Sequence, residues 1–134
     1  MTIRPYNKAL DETSLMAMIK AEEGWDYADE PHTERYKQAL DTSITYVAYM
    51  DNDLCGYSRS LSDGYLYLFV CDLLVMPAFR GRDIGRGLME CLYQDYPDFT
   101  AYVMSGVDEY YEKLEYKKEG SIFEVKKRTI NHKK

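Results

Sequence analysis

The stretch Leu73-Leu74-Val75-Met76-Pro77-Ala78-Phe79-Arg80-Gly81-Arg82-Asp83-Ile84-Gly85-Arg86-Gly87-Leu88 decides how the chain is read. An apolar strand, the end of a run that starts at Tyr65, stops at Pro77 and passes into a loop of glycines and arginines. That loop opens a helix, because Ile84, Leu88, Cys91 and Leu92 share one helical face while Arg86, Glu90 and Gln94 turn away from it. The first N–H groups of a helix lack intrahelical acceptors, and the helix dipole places partial positive charge there. Glycines let a backbone approach a phosphate closely, and Arg80, Arg82 and Arg86 add positive charge, so the pattern suits a polyanion. A solvent-facing arginine loop at an ordinary helix start is the plainer alternative. Two phosphate-binding motifs do not fit: no Lys-Ser or Lys-Thr follows, as a P-loop requires, and Gly81, Gly85 and Gly87 lack dinucleotide-fingerprint spacing.

Upstream of this stretch, Ile3–Tyr6 reads as a strand. Leu10–Glu22 has helical spacing, with Asp11 or Thr13 able to cap it, and Thr33–Leu40 is a second helix that follows Pro31. Ser43–Met50 and Leu54–Ser60 then form a hairpin about Asp51-Asn52-Asp53. Downstream, Pro97 stops the helix that the loop opens. Phe99–Met104 reads as a strand, Val107–Leu114 as a helix and Ile122–Lys126 as a last strand. The alternation predicts a mixed α/β (α+β) fold, with residues 1–134 as a single domain.

The charge balance narrows the function. Seventeen Lys and Arg face 23 Asp and Glu, a net −6, which argues against a general nucleic-acid binder because phosphate contacts need clustered positive charge. Basic residues gather in the tail at Lys126-Lys127-Arg128 and Lys133-Lys134, a solvated end. Cys55, Cys71 and Cys91 make an odd, unmotivated set and read as reduced thiols. With no signal-peptide pattern at Met1–Pro5 and no apolar run long enough to span a bilayer, a cytoplasmic protein without membrane association is expected. His32 and His132 have no metal-ligand spacing, so no metal is expected.

Arg82-Asp83-Ile84-Gly85-Arg86-Gly87 fits Q/R-x-x-G-x-G/A, and the lead-in from Val75 to Gly81 fits V-x-P-x-x-R-G. Together they resemble the acetyl-CoA pyrophosphate loop of the GNAT superfamily of N-acetyltransferases. Tyr110-Tyr111-Glu112-Lys113-Leu114-Glu115-Tyr116 is similar to that family's F-Y-E-K-L-G-F segment. Both motifs stand in the right order, and the succession of elements agrees over nearly the whole chain, so it resembles a small single-domain bacterial member. Asp83 stands where glycine is common, Glu115 replaces a glycine, and Met104 occupies a position where many members carry Asn.

The resemblance implies a mainly antiparallel twisted sheet with helices on both faces, whose central strand is splayed to admit coenzyme A. It implies that the backbone of Leu73, Leu74 and Val75 pairs with the pantetheine arm, while Gly81, Arg82, Asp83, Ile84, Gly85, Arg86 and Gly87 cradle the pyrophosphate. The implied reaction is direct transfer of acetyl from acetyl-CoA to a primary amine through a tetrahedral intermediate, with Tyr111 as general acid toward the departing thiolate. Tyr110 and Tyr111 are equally good core aromatics by pattern alone. Asp72, beside the cofactor strand, is a candidate general base or else a structural residue paired with an arginine. Glu22, Glu23 and Asp26 are the other candidate bases. With acids beside large aromatics, Glu22, Trp25, Asp26 and Tyr27 suit a small cationic acceptor, although Trp25 could instead be a core plug. A protein N-terminal or lysine acetyltransferase and a non-catalytic acyl-CoA sensor are the alternatives. Homodimerisation accords with family habit.

Overall fold

A computed structural model of the chain describes residues 1–128. They fall into two compact units, the first spanning Met1–Met104 and the second beginning at Ser105. In the first unit, β1 (Thr2–Pro5), α1 (Lys8–Ala21) and α2 (Thr33–Thr42) precede β2 (Ile44–Met50), β3 (Asp53–Ser62) and β4 (Tyr67–Val75). A 3-10 turn at Pro77–Phe79 then leads to α3 (Ile84–Glu90), α4 (Leu92–Asp95) and β5 (Thr100–Val103). The sheet order is β1-β2-β3-β4-β5, antiparallel throughout except for the parallel pair β4–β5. This is the mixed, mainly antiparallel architecture expected from the sequence.

Each face of the sheet carries its own core. On one face Leu15 and Ile19 of α1 and Tyr36 and Leu40 of α2 pack on Val47, Tyr57 and Leu74. On the other, Ile84, Leu88 and Leu92 pack on Tyr46, Ala48, Leu68 and Val70. Adjacent strand residues thus serve opposite cores, as the two-residue period of a strand requires. Gly56 allows α3 to come close. A Cβ there would stand 2.9 Å from the Leu74 carbonyl oxygen and 3.2 Å from Leu88.

The start of α1 differs from expectation. Asn7 caps it, its side-chain oxygen accepting from the Leu10 N–H at 3.2 Å. Asp11 is drawn elsewhere: fully buried, it receives both terminal nitrogens of Arg4 at 2.7 and 2.8 Å and the Tyr49 hydroxyl at 2.7 Å. The same carboxylate accepts the Asn7 N–H at 2.8 Å, so from inside the helix it ties β1 to α1 and β2 and supports the start that Asn7 caps.

The decisive irregularity lies in β4. Arg59 of β3 pairs with Asp72, but Ser60 pairs with Val70, so Cys71 is an extra residue, a β-bulge. Leu68 and Val70 face the α3 side, and the bulge reverses the alternation, so that Leu74 joins the α1–α2 core. Pairing with β5 ends at the same place. It runs from Tyr67↔Thr100 to Val70↔Val103, and the Met104 N–H closes it on the Val70 carbonyl at 3.0 Å. Beyond Val70, β4 keeps β3 on one side and has no partner strand on the other among the described residues.

The second unit contains α5 (Asp108–Lys113) within the expected Val107–Leu114 helix. The strand expected at Ile122–Lys126 does not form. Ile122, Phe123 and Val125 are largely exposed, and no strand among the described residues pairs with them, so the alternating pattern gains neither burial nor ladder hydrogen bonds. Lys133 and Lys134, like His132, lie outside the described residues.

Candidate functional site

The open half of β4 leads directly into the glycine–arginine loop. Leu73 and Val75 are half-buried against the α3-side core, and Leu74 is buried in the other. Their side chains are therefore structural, and what the half-strand can offer a ligand is backbone. The Val75 carbonyl accepts from Arg80 Nε at 2.9 Å, and the Arg80 guanidinium also meets the Glu22 carboxylate at 3.2 Å. In this way the end of α1, the end of β4 and the start of the loop are joined.

The loop turns on two residues with positive φ, Gly81 (84°) and Asp83 (60°). Glycine adopts this conformation freely, while aspartate does so at a cost of about 1 kcal/mol. The left-handed backbone explains why glycine is common at the position of Asp83. Asp83 makes no capping bond to α3, so the N–H groups of the first helical turn, at Ile84, Gly85 and Arg86, have no side-chain cap. The row of donors stops there, because the Gly87 N–H already donates to the Asp83 carbonyl at 3.0 Å. Gly87 instead faces β1: a Cβ on it would meet Ile3 Cδ1 at 3.0 Å. Ile84 is buried and anchors the loop to the sheet. Arg82, Asp83 and Arg86 are exposed, Arg82 lying over the Phe79 ring at 5.5 Å and Arg86 pairing with Glu90 at 3.3 Å.

Asp72 is 4% exposed and fully engaged. Oδ1 accepts from the Tyr27 hydroxyl at 2.9 Å. Oδ2 accepts from the Tyr36 hydroxyl at 2.7 Å and from Arg59 Nε at 2.6 Å. Tyr36 and Tyr57 hydroxyls are 2.6 Å apart, and since the Tyr36 proton goes to Asp72, Tyr57 is the donor between them. Burial, reinforced by the neighbouring Tyr57 and Asp72, keeps Tyr36 protonated far above neutral pH. Burial likewise pushes the Tyr27 hydroxyl up to about 12, with Asp72 adding to it. For Arg59 burial works the other way, but the hydrogen bond and charge of Asp72 outweigh it and hold the guanidinium charged. Of the two readings of Asp72 drawn from the sequence, the geometry is that of the ion-paired structural residue: three protein donors already occupy both oxygens.

Asp72 thus meets Tyr27 of the α1–α2 loop. Trp25 is half-buried, edge-on to Tyr27 at 5.8 Å and to Tyr57 at 6.4 Å, so it is partly the core plug that its type suggested. Asp26 is exposed, 3.5 Å from His32 Nε2, and Glu23 is exposed beside it. Sequence reasoning missed Tyr36, Tyr57 and Arg59. The available signal was Arg59 itself, a charge within the polar run Ser58-Arg59-Ser60 in the middle of a strand covered on both faces.

Tyr111, on α5, is half-buried within its own unit. It stands edge-on to Tyr110 at 5.1 Å and stacks with Tyr116 at 6.4 Å. Burial, then Tyr110, raises its pKa, which keeps the hydroxyl protonated at neutral pH. Tyr110 is the more exposed of the pair. The three cysteines are free, and the described residues contain no group of three or more side chains arranged to hold a metal ion. No helix among the described residues is long and apolar enough to cross a membrane.

Residues 41–118, more than half the chain, match the family model of the acetyltransferase (GNAT) domain. No curated protein sequence matches the chain significantly. Solved structures do. A GNAT-family acetyltransferase from Streptococcus pneumoniae superposes with a TM-score of 0.71 at 21% identity, covering 94% of this chain and 98% of that one. A ribosomal-protein-alanine N-acetyltransferase from Brucella melitensis gives 0.69 at 16% identity, with coverage of 93% and 98%. The aminoglycoside N-acetyltransferase AAC(6')-Iy in complex with CoA gives 0.66 at 15% identity, with coverage of 96% and 100%. At these identities the likeness is one of fold.

Proposed function

The chain belongs to the GNAT acetyltransferase family, and we propose that it transfers the acetyl group of acetyl-CoA to a primary amine of a small cationic molecule in the cytoplasm. The whole chain would act as one catalytic domain. One observation carries this reading: the β4 half-strand left unpaired beyond Val70 runs, through Arg80, into an uncapped helix start turned on Gly81 and Asp83. A linear ligand with a peptide-like arm and a diphosphate needs those two features side by side.

In this reading the backbone of Leu73–Val75 pairs with the pantetheine arm, and the N–H groups of Ile84, Gly85 and Arg86 hold the diphosphate. Arg82 and Arg86 add charge from the rim. Acetyl-CoA supplies the activated acyl group. A backbone N–H near Val75 stabilises the negative charge that develops on the thioester oxygen as the C–N bond forms. The acceptor amine, with a pKa near 10, must first lose a proton. Asp72 is buried and already holds three donors, among them the Arg59 guanidinium, so Glu22, Glu23 or Asp26, acting directly or through water, takes that proton. As the C–S bond breaks, the Tyr111 hydroxyl gives its proton to the thiolate and regains one from solvent.

The acceptor class follows from charge. Glu22, Glu23, Asp26, Asp29 and Glu30 bring five carboxylates to a loop whose residues 22–32 contain no Lys or Arg. The direct test is thiol release from acetyl-CoA with a panel of di- and polyamines, aminoglycosides and short peptides. Turnover on the polycationic amines is the expected result. Turnover on peptide N-termini alone would overturn the acceptor class.

The loop makes a further prediction. Asp83 carries a carboxylate beside the diphosphate site and a strained backbone, so Asp83→Gly should tighten acetyl-CoA binding by roughly threefold without lowering the melting temperature. Weaker binding in a calorimetric titration would show that the Asp83 carboxylate points away from the ligand and matters in another way.

A further inference from the structure

The α1–α2 loop is docked on the sheet by its aromatics. Tyr27 lies flat on Tyr36, with centroids 4.0 Å apart and planes 11° apart, and its hydroxyl reaches Asp72 Oδ1. Trp25 leans on Tyr27 and on Tyr57. Beneath them Arg59 completes the cluster, its Nε on Asp72 and its Nη1 on the Ser43 hydroxyl at 3.2 Å. A stacked ring would bury most of its apolar area without its hydroxyl, so the Tyr27–Asp72 bond contributes direction more than adhesion.

What makes that direction matter is where Asp72 stands. The strand period alone would put it on the α3 face with Leu68 and Val70. The extra residue Cys71 turns it to the α1–α2 face, where Arg59, its cross-strand partner, awaits it. The same bulge ends the pairing with β5 and leaves Asp72–Val75 open. A second tie, Glu22 to Arg80 to the Val75 carbonyl, holds the loop at the far end of that half-strand. The segment from Glu22 to Tyr27 is therefore held at both of its ends by contacts to the open half of β4 and to the loop that follows it.

We propose that Tyr27 is the positioning residue of the acceptor side: its hydroxyl, held by Asp72 at the β4 bulge, fixes where Trp25 and the loop carboxylates stand beside the open half-strand. The word acceptor rests on the acetyltransferase reading, while the latch itself does not. One carboxylate sets the geometry of both sides, since it stabilises the bulge that opens β4 and receives the hydroxyl that places the loop.

Trp25 is the sole tryptophan, so its fluorescence reports the loop. The variant Tyr27→Phe keeps the ring stacked on Tyr36 and removes the hydroxyl alone. The latch predicts that acrylamide quenching of Trp25 rises at least about twofold while the melting temperature falls by less than about 6 °C. Acetyl-CoA affinity should change by less than about twofold. Unchanged quenching overturns the proposal. So does a larger fall in melting temperature, which would make Tyr27 a core strut, or a loss of acetyl-CoA affinity beyond about tenfold, which would place Tyr27 in the coenzyme site. Acetyl-CoA titrated into the unaltered protein separates the two readings. If nothing binds there, the acetyltransferase reading fails, and the quenching still decides the latch.

Discussion

Asp72→Ala is expected to lose about 3–5 kcal/mol of stability, a large fraction of what a domain of this size possesses. The loss comes from what remains behind. Arg59, whose side chain is 14% exposed, would keep its charge with no carboxylate beside it, and the Tyr27 and Tyr36 hydroxyls would lose their acceptor. Removing one partner of a buried pair costs far more than the pair itself contributes. The double variant Asp72→Ala with Arg59→Met should therefore recover part of the loss. Urea denaturation followed by circular dichroism measures both. A cost below about 1 kcal/mol for the single variant would mean that water reaches Arg59 and that the cluster is not a closed network.

Tyr111→Phe is expected to lower turnover by about 10²-fold or more while acetyl-CoA affinity stays within about twofold. The substitution keeps the ring contacts with Tyr110 and Tyr116 and removes one proton donor. The effect should fall on kcat and leave the acetyl-CoA KM nearly unchanged, because a general acid acts as the C–S bond breaks and not as the substrate binds. Initial rates of thiol release at saturating amine measure it. Undiminished turnover would move the acid role to another group, and Tyr110→Phe, expected to be nearly silent, serves as the comparison.

The parts of the molecule written in local sequence were legible. An apolar run ended by Pro77 and followed by glycines and arginines names strand, loop and helix start from propensity and turn chemistry alone. The helical face of Ile84, Leu88 and Leu92 does become the second core. What was not legible depends on partners distant in sequence. Asp11 has the composition of a helix cap, but Asn7 takes that place and Asp11 also gathers Arg4 and Tyr49, partners that are not predictable before β1 and β2 are known to pair. The bulge at Cys71 is invisible in a run where nearly every residue is apolar. It emerges only with the register that sets Arg59 opposite Asp72. Tyr36 and Tyr57, two of fourteen tyrosines, could not be singled out before Asp72 was seen to gather them. Ile122–Lys126 shows the reverse case: β-branched and aromatic residues in alternation, yet no neighbouring strand to complete a ladder. At the loop, a φ of 60° identifies Asp83 as the occupant of a glycine position, a fact about backbone that the letter alone conceals.

The open half of β4 and the uncapped start of α3 together make the proposed binding site for acetyl-CoA. A calorimetric titration of the purified protein with acetyl-CoA, with free coenzyme A and dephospho-coenzyme A alongside, tests it most directly. Saturable binding to one site, shared by all three ligands and weakened by added salt, is the predicted result, because the diphosphate and the pantetheine arm are common to them. The absence of binding by any of the three would contradict it, leaving Arg80–Gly87 as a charged helix start and the acetyltransferase reading without its substrate.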